Sequence, residues 1–157
     1  MAEEQSIAER FMEFHARLKN GKFYKVQNVF SDSEFFAVSR IIMITVGMAC
    51  KESPVGKGVS MKYISAGMNV SPAMATKTIT SLEKRGIVTR YTDEGDRRGV
   101  KVCLTEEGFE KWKEARRSYK AFVDRVFERF GEEKTKQYLD LAEELVEIAK
   151  EEREKTI

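Results

Sequence analysis

The sequence has very few of the side chains from which metal sites and disulfide frameworks are built. It contains one histidine, His15, and two cysteines, Cys50 and Cys103, in 157 residues. Zinc sites that use several histidines and cysteines are therefore excluded, as are Ser/His and Cys/His catalytic pairs that do not include His15. Two cysteines are also too few for a disulfide scaffold. We expect both cysteines to be buried packing residues and His15 to be packed or solvated.

Signals for export and for membrane insertion are also missing. No apolar run reaches the roughly 18 residues that a membrane span needs, because the longest, Ile41 to Cys50, is interrupted by Thr45 and Gly47. The first residues are acidic, whereas a secretion signal begins with basic residues and continues with apolar ones. We therefore expect a cytoplasmic protein that does not contact a membrane.

The usual sequence signatures of enzymes are absent as well. We find no Gly-rich phosphate loop, no cluster of metal ligands and no paired nucleophile and base, so we predict neither catalysis nor a cofactor. The hydrophobic content of 41% is sufficient for a core, which excludes a disordered chain. A chain of 157 residues is typical of one folding unit.

The net charge of +2 hides a segregation of charge along the chain. Residues 57–101 carry nine basic and four acidic residues, whereas 102–157 carry twelve basic and fifteen acidic residues. A local basic patch is the electrostatic signature of phosphate binding. The alternative is an ordinary charged surface, which charge alone does not exclude.

The first half of the chain carries strong helix signals. Apolar side chains spaced by three and four residues predict a helix from Ile7 to Leu18. Ser31 and Glu34 form a capping box, with Phe30 and Phe35 at the positions of a hydrophobic staple. We expect the helix that follows to be buried and to continue to about residue 52, where Ser53-Pro54 would end it.

Two short helices and a hairpin follow. Ser60 caps a helix over 61–68, Asn69 makes the turn, and Ser71-Pro72 opens a second helix that ends at Gly86. Two β segments, 87–91 and 100–104, flank a long charged loop over 92–99. We expect three side chains of the second segment to point inward: Val100, Val102 and Leu104. Thr105 then caps the first of two long amphipathic helices.

This order of elements predicts a mainly α (α+β) fold, a winged helix-turn-helix with a small β-hairpin wing. Two motifs then resemble a known family. One is Leu82-Glu83-Lys84-Arg85-Gly86-Ile87-Val88, after a helix that begins Ser71-Pro72. The other runs from Asp96-Arg97-Arg98-Gly99 through Leu104-Thr105 to Gly108. Both are similar to the recognition helix and wing of the MarR-type transcription regulators.

The resemblance implies a single MarR-like domain over 1–157. Within it, 31–105 would form the DNA-binding winged helix-turn-helix, and 1–30 and 106–157 a helical dimerisation region. The implied protein is a homodimeric, sequence-specific regulator that binds a pseudo-palindromic operator in double-stranded DNA. We expect a repressor that a small-molecule effector can release. Peroxide-sensing members use a cysteine near the N-terminus, and neither Cys50 nor Cys103 lies there.

Nine residues are candidates for DNA contact, and a tenth, Asp96, is a structural candidate in the wing. A helix beginning at Ser71 would place its first turns in the major groove, where side chains reach base edges. The candidates on it are Ser71, Pro72, Ala73, Met74, Thr76, Lys77 and Thr80. In the wing, the family pattern implies that Asp96 pairs with Arg98 and that Arg97 enters the minor groove, although the residues alone do not assign the two arginines. The alternative function is a winged-helix protein-interaction module that does not bind DNA.

Overall fold

A computed structural model describes residues 6–20, 29–47, 50–93 and 96–155. Within these ranges the elements in chain order are α1 (Ile7–Asn20), α2 (Asp32–Val46), β1 (Val59–Ser60), α3 (Met61–Met68), α4 (Pro72–Lys84), β2 (Val88–Asp93), β3 (Asp96–Leu104), α5 (Glu106–Phe130) and α6 (Glu132–Lys155). The mainly helical fold with a small antiparallel sheet agrees with the predicted fold class.

Helix α2 begins as predicted and ends earlier than predicted. The Ser31 hydroxyl accepts a hydrogen bond from the Glu34 N–H, and the Ser31 N–H donates to the Glu34 carboxylate at 2.9 Å. The expected continuation to residue 52 is wrong, because the helix ends at Val46. Gly47 follows with φ of 75°, a left-handed conformation that glycine adopts without a Cβ clash and that interrupts the helical path.

The core lies where α2, α3 and α4 pack against the sheet. Its most completely buried large side chains come from each of these elements and include Ile41, Ile64, Ile79, Leu82 and Val102. Burying one such side chain contributes about 1.5–3 kcal/mol of hydrophobic free energy. The predicted turn between α3 and α4 is confirmed, with Asn69 in the left-handed conformation at φ of 53°. The core therefore fixes the two helices of the helix-turn-helix relative to each other.

The sheet has three antiparallel strands in the order β1-β3-β2. Strand β1 was not predicted, because its two residues are too few to show an alternating pattern. In β3, Val102 and Leu104 are buried as expected, but Val100 is 43% exposed. The inward prediction is therefore wrong for Val100, which lies beyond the part of the strand that β1 covers.

The predicted loop over 92–99 is also wrong. Strand β2 continues to Asp93 and β3 already begins at Asp96. Thr92 pairs with Val100 while Asp93 pairs with Asp96, so the register shifts between Thr92 and Asp93. Arg97, Arg98 and Gly99 are thus extra residues on β3, as in a β-bulge. The charged residues over 92–99 suggested a loop. Backbone hydrogen bonds can nevertheless pair two strands whose side chains are charged and solvated.

The start of α5 is packed directly against the first residues of the wing. The Thr105 hydroxyl accepts a hydrogen bond from the Gly108 N–H at 3.0 Å, which confirms the predicted cap. A Cβ at Gly108 would lie 2.1 Å from the Ile87 carbonyl oxygen, so this position needs glycine for space. Further along α5, the Trp112 indole N–H donates to the Ser39 hydroxyl of α2 at 2.9 Å.

The terminal helices expose most of their apolar side chains. Helix α6 has no buried residue in the described part of the chain, and Leu141 and Val146 are 65% and 52% exposed. On α1, Ile7 is 86% exposed. None of the described helices is long and apolar enough to cross a membrane.

Candidate nucleic-acid interface

Helix α4 has one face in the core and the opposite face in solvent. Ala75, Ile79 and Leu82 are fully buried, as their spacing predicted. The predicted contact residues of the first two turns are exposed: Ser71, Pro72, Ala73, Met74, Thr76 and Lys77. Met74 keeps 48% of its surface in water. The structure therefore brings this group together on one outward surface.

Two of the predicted contact residues have hydroxyls that already hold local structure. The Ser71 hydroxyl accepts a hydrogen bond from the Met74 N–H at 3.2 Å and so caps α4. The Thr80 hydroxyl donates to the Thr76 carbonyl at 2.8 Å, and Thr80 is only half-exposed. Both hydroxyls shape the helix itself, which limits the contacts that they could offer to a ligand.

Arg90 of β2 holds the wing against α4, and the sequence reasoning did not single it out. Its guanidinium donates to the Thr80 hydroxyl at 2.9 Å and to the Thr76 carbonyl at 3.3 Å. It also forms an ion pair with Glu83 at 3.3 Å. Nothing in the local sequence marks Arg90, because its partners lie on another element.

The far end of α4 is held to α2 by a second arginine. Arg85 lies 2.7 Å from the Glu34 carboxylate, and it also donates to the Val29 carbonyl. The Ser81 hydroxyl donates to the other carboxylate oxygen at 2.7 Å. The Arg85 guanidinium also lies over the Phe30 ring, 5.7 Å from its centroid. The capping-box glutamate of α2 therefore also anchors α4.

The ionisation of Glu34 follows from these contacts. Burial alone would raise the pKa of the Glu34 carboxyl. The hydrogen bonds from Ser31, Ser81 and Arg85, together with the Arg85 charge, outweigh the burial and lower this pKa below its ordinary value. Glu34 is therefore held ionised beside the Arg85 guanidinium.

The wing carries the remaining candidates, which are the predicted contact residues Arg97 and Arg98 and the structural residue Asp96. Asp96, Arg97 and Arg98 lie in β3, next to the paired ends of the two wing strands. Their side chains lie outside the described residues, so the Asp96–Arg98 pair and the groove-reading role of Arg97 stay predictions. The register shift at Arg97 to Gly99 places both arginines in an irregularly paired part of β3 rather than in a loop.

The other basic residues around the site differ in their exposure and in their partners. Lys57 forms an ion pair with Glu52 at 2.8 Å, so it is partly neutralised. Lys62 and Lys77 are exposed on α3 and α4. Lys101 pairs with Ser60 and with Tyr91 in the sheet, which places it at the root of the wing.

The cysteines and the histidine contribute no recognised site. Cys103 is buried as expected, its thiol donates to the Gly56 carbonyl at 3.3 Å, and burial raises its pKa. Cys50 packs against the core as expected but is only half-buried, and it lies in a turn at φ of 47° rather than inside α2. The side chain of His15 lies outside the described residues. Among the described residues, no three His, Cys, Asp or Glu side chains cluster as metal ligands would.

The part of the chain that forms this site matches a known family. Residues 57–100 match the model of the MarR family. This segment includes β1, α3, α4, β2 and the first part of β3, which are the elements of the winged helix-turn-helix. The predicted resemblance to MarR-type regulators is therefore confirmed.

A relative in Bacillus subtilis is similar over part of the chain. The chain is 27% identical over 88 residues to YwhA, which is described as an uncharacterized HTH-type transcriptional regulator. The match covers 56% of this chain and 63% of YwhA, so more than a third of that relative is not matched.

Solved structures share the fold over most of the chain. The transcriptional regulator BldR from Sulfolobus solfataricus has a TM-score of 0.67 at 22% identity, covering 92% of this chain and 99% of that one. An S. aureus MepR mutant bound to an oligodeoxyribonucleotide has a TM-score of 0.55 at 14% identity, with coverage of 92% and 99%. YwhA and BldR are each described as transcriptional regulators.

Proposed function

Starting from this MarR-type winged helix-turn-helix, we propose that the protein is a dimeric, sequence-specific DNA-binding transcription regulator. The observation that carries the proposal is the two-sided character of α4, with Ile79 and Leu82 in the core and Thr76 and Lys77 outside. The net positive charge of 57–101 favours a phosphate-rich partner for this face. The similarity in fold to the DNA-bound MepR mutant supports the same partner.

The first turns of α4 read the major groove in this proposal. Ala73 and Met74 contact thymine methyl groups, because both present apolar surface at the start of the helix. Thr76 bonds a base or a phosphate, and Lys77 a guanine or a phosphate. Pro72 packs beside them at the first helical position. Ser71 and Thr80 act mainly through the helix structure that their hydroxyls support.

The wing reads the minor groove. An arginine inserted into a narrow minor groove gains from its enhanced negative potential. We assign this role to Arg97, with Arg98 paired to Asp96 and stiffening the wing. A bent strand is a suitable support for such a side chain, because a bulge re-aims the residues next to it.

A second copy of the chain completes the molecule. The exposed apolar side chains of the terminal helices, such as Ile7, Leu141 and Val146, would be covered by the same helices of a partner. Two-fold symmetry then requires a pseudo-palindromic operator with half-sites about 10 bp apart. In this arrangement the dimer represses by occupying the operator, and a small-molecule effector releases it; the cytoplasmic location stays a prediction.

Selection of bound DNA from a random pool tests the proposal. We expect the selected sequences to share a pseudo-palindrome, and Lys77→Ala to weaken binding to it while Lys134→Ala, an exposed change on α6, does not. A pool that yields no enriched sequence, with no gel shift at low salt, would instead favour the protein-interaction module.

A further inference from the structure

The arginine of β2 that contacts α4 lies between the two proposed DNA-reading elements. Its three partners, Thr76, Thr80 and Glu83, are spaced by four and three residues and so form one stripe along α4. We infer that Arg90 is a positioning residue that sets the angle between the wing and the recognition helix. The expected effect on DNA binding rests on the proposed function, whereas the contact between Arg90 and α4 does not.

The geometry of the hairpin shows why one side chain can have this effect. Helix α4 ends at Lys84, Gly86 follows at φ of 69°, and β2 starts at Val88. Val88 is buried, so the base of the strand is fixed by the core. Beyond Arg90, the described side chains of the hairpin are exposed on both strands. These are Tyr91 and Thr92 on β2 and Val100 on β3. Arg90 lies between this buried base and the exposed end of the hairpin, and its side chain ties β2 to α4.

The contacts also argue against Arg90 as a direct phosphate ligand. The side chain is only 25% exposed, and its guanidinium is already engaged by a hydroxyl, a carbonyl and the Glu83 carboxylate. To bind a phosphate, Arg90 would have to break at least one of these three contacts, which would leave that partner group unpaired. The neighbouring candidate cation Lys77 is exposed and has no such competition in the described contacts.

Hydrogen exchange of the free protein tests the positioning role without DNA. Arg90→Met keeps the aliphatic stem and removes the donors. We expect amides of 90–93 and 96–101 to exchange several-fold faster, with the buried base of the hairpin, α2 and α5 unchanged. Thr80→Val should produce a smaller change in the same amides, and Arg90→Lys should restore part of the protection. Wing exchange equal to wild type in Arg90→Met would overturn the inference.

The DNA measurement then separates positioning from contact. On the selected operator we expect Arg90→Met to lower affinity about tenfold or more, as for loss of one charge-assisted hydrogen bond. The slope of log affinity against log salt should stay at the wild-type value, and Lys134→Met should change neither quantity. A slope reduced by about 0.9 would identify Arg90 as a phosphate ligand and overturn the inference. Wild-type protein that binds no DNA would refute the proposed function, while the exchange result would still decide the role of Arg90.

Discussion

Glu34 and Arg85 form a 2.7 Å ion pair across 51 residues of sequence, and this pair joins the first turn of α2 to the end of α4. Glu34 is almost fully buried, whereas 37% of the Arg85 side chain is exposed. The same carboxylate closes the capping box at Ser31. One side chain thus stabilises the start of α2 and the position of α4 together.

Replacing this carboxylate should destabilise the fold. We expect Glu34→Gln to lower the free energy of unfolding by about 2 kcal/mol, since it removes charge-assisted hydrogen bonds from a buried site that solvent screens only in part. Urea denaturation followed by the fluorescence of Trp112, the single and buried tryptophan, measures this. Glu143→Gln, an exposed change on α6, is the matched control and should leave the midpoint unchanged. Equal midpoints for the two variants would show that the pair contributes nothing.

The contribution of Glu34 should also depend on pH. Its folded pKa lies below the unfolded value of about 4.3, so at acidic pH the unfolded chain binds more protons than the folded one. The added stability is therefore complete above the unfolded pKa and is lost as pH falls through the folded pKa. Unfolding free energies measured from pH 7 to pH 3 should show the gap between wild type and Glu34→Gln narrowing on acidification. A gap that widens would contradict the lowered pKa.

Because the start of α5 lies close to the backbone of Ile87, we expect Gly108 not to tolerate a side chain. Gly108→Ala would place a methyl group 2.1 Å from the Ile87 carbonyl oxygen, and backbone cannot move aside as a flexible side chain can. We expect a loss of about 1–3 kcal/mol or more in the free energy of unfolding. Glu110→Ala, an exposed position on the same helix, serves as the control. A Gly108→Ala protein as stable as wild type would show that α5 can shift away from β2.

The exposed faces of the terminal helices predict a dimer that one charge disrupts. The chain has a mass of 18.1 kDa, and we expect light scattering to give about twice that value for the wild type. Leu141→Glu should move the mass toward that of one chain, because a carboxylate would be buried in an apolar interface. Lys134→Glu changes the charge at an exposed position of the same helix and should leave the mass unchanged. A wild-type monomer would contradict the dimeric part of the account.

Local signals in the sequence predicted the parts of the fold that depend on local chemistry. The caps at Ser31, Ser71 and Thr105 each bond the backbone N–H three residues later, as their side chains and spacing indicated. The buried line of α4 followed from helical periodicity, because the core lies on one side of that helix.

The features that were missed depend on distant partners. Strand β1 exists because Val59 pairs with Val102, a residue far along the chain. The clamp at Arg90 and the pair between Glu34 and Arg85 are likewise contacts between elements, which no local pattern records. Of the site residues, the exposed turn at the start of α4 was predictable, and the role of Arg90 was not.

The dependence of DNA affinity on salt for the wild type and for Arg97→Ala tests the central claim most directly. Fluorescence anisotropy with the selected pseudo-palindrome should show affinity that falls steeply as salt rises, because several phosphate contacts release counterions. At low salt, Arg97→Ala should bind several-fold more weakly, since it loses the minor-groove contact. Affinity that does not change with salt, or an Arg97→Ala isotherm identical to that of the wild type, would contradict recognition of DNA by α4 and the wing together.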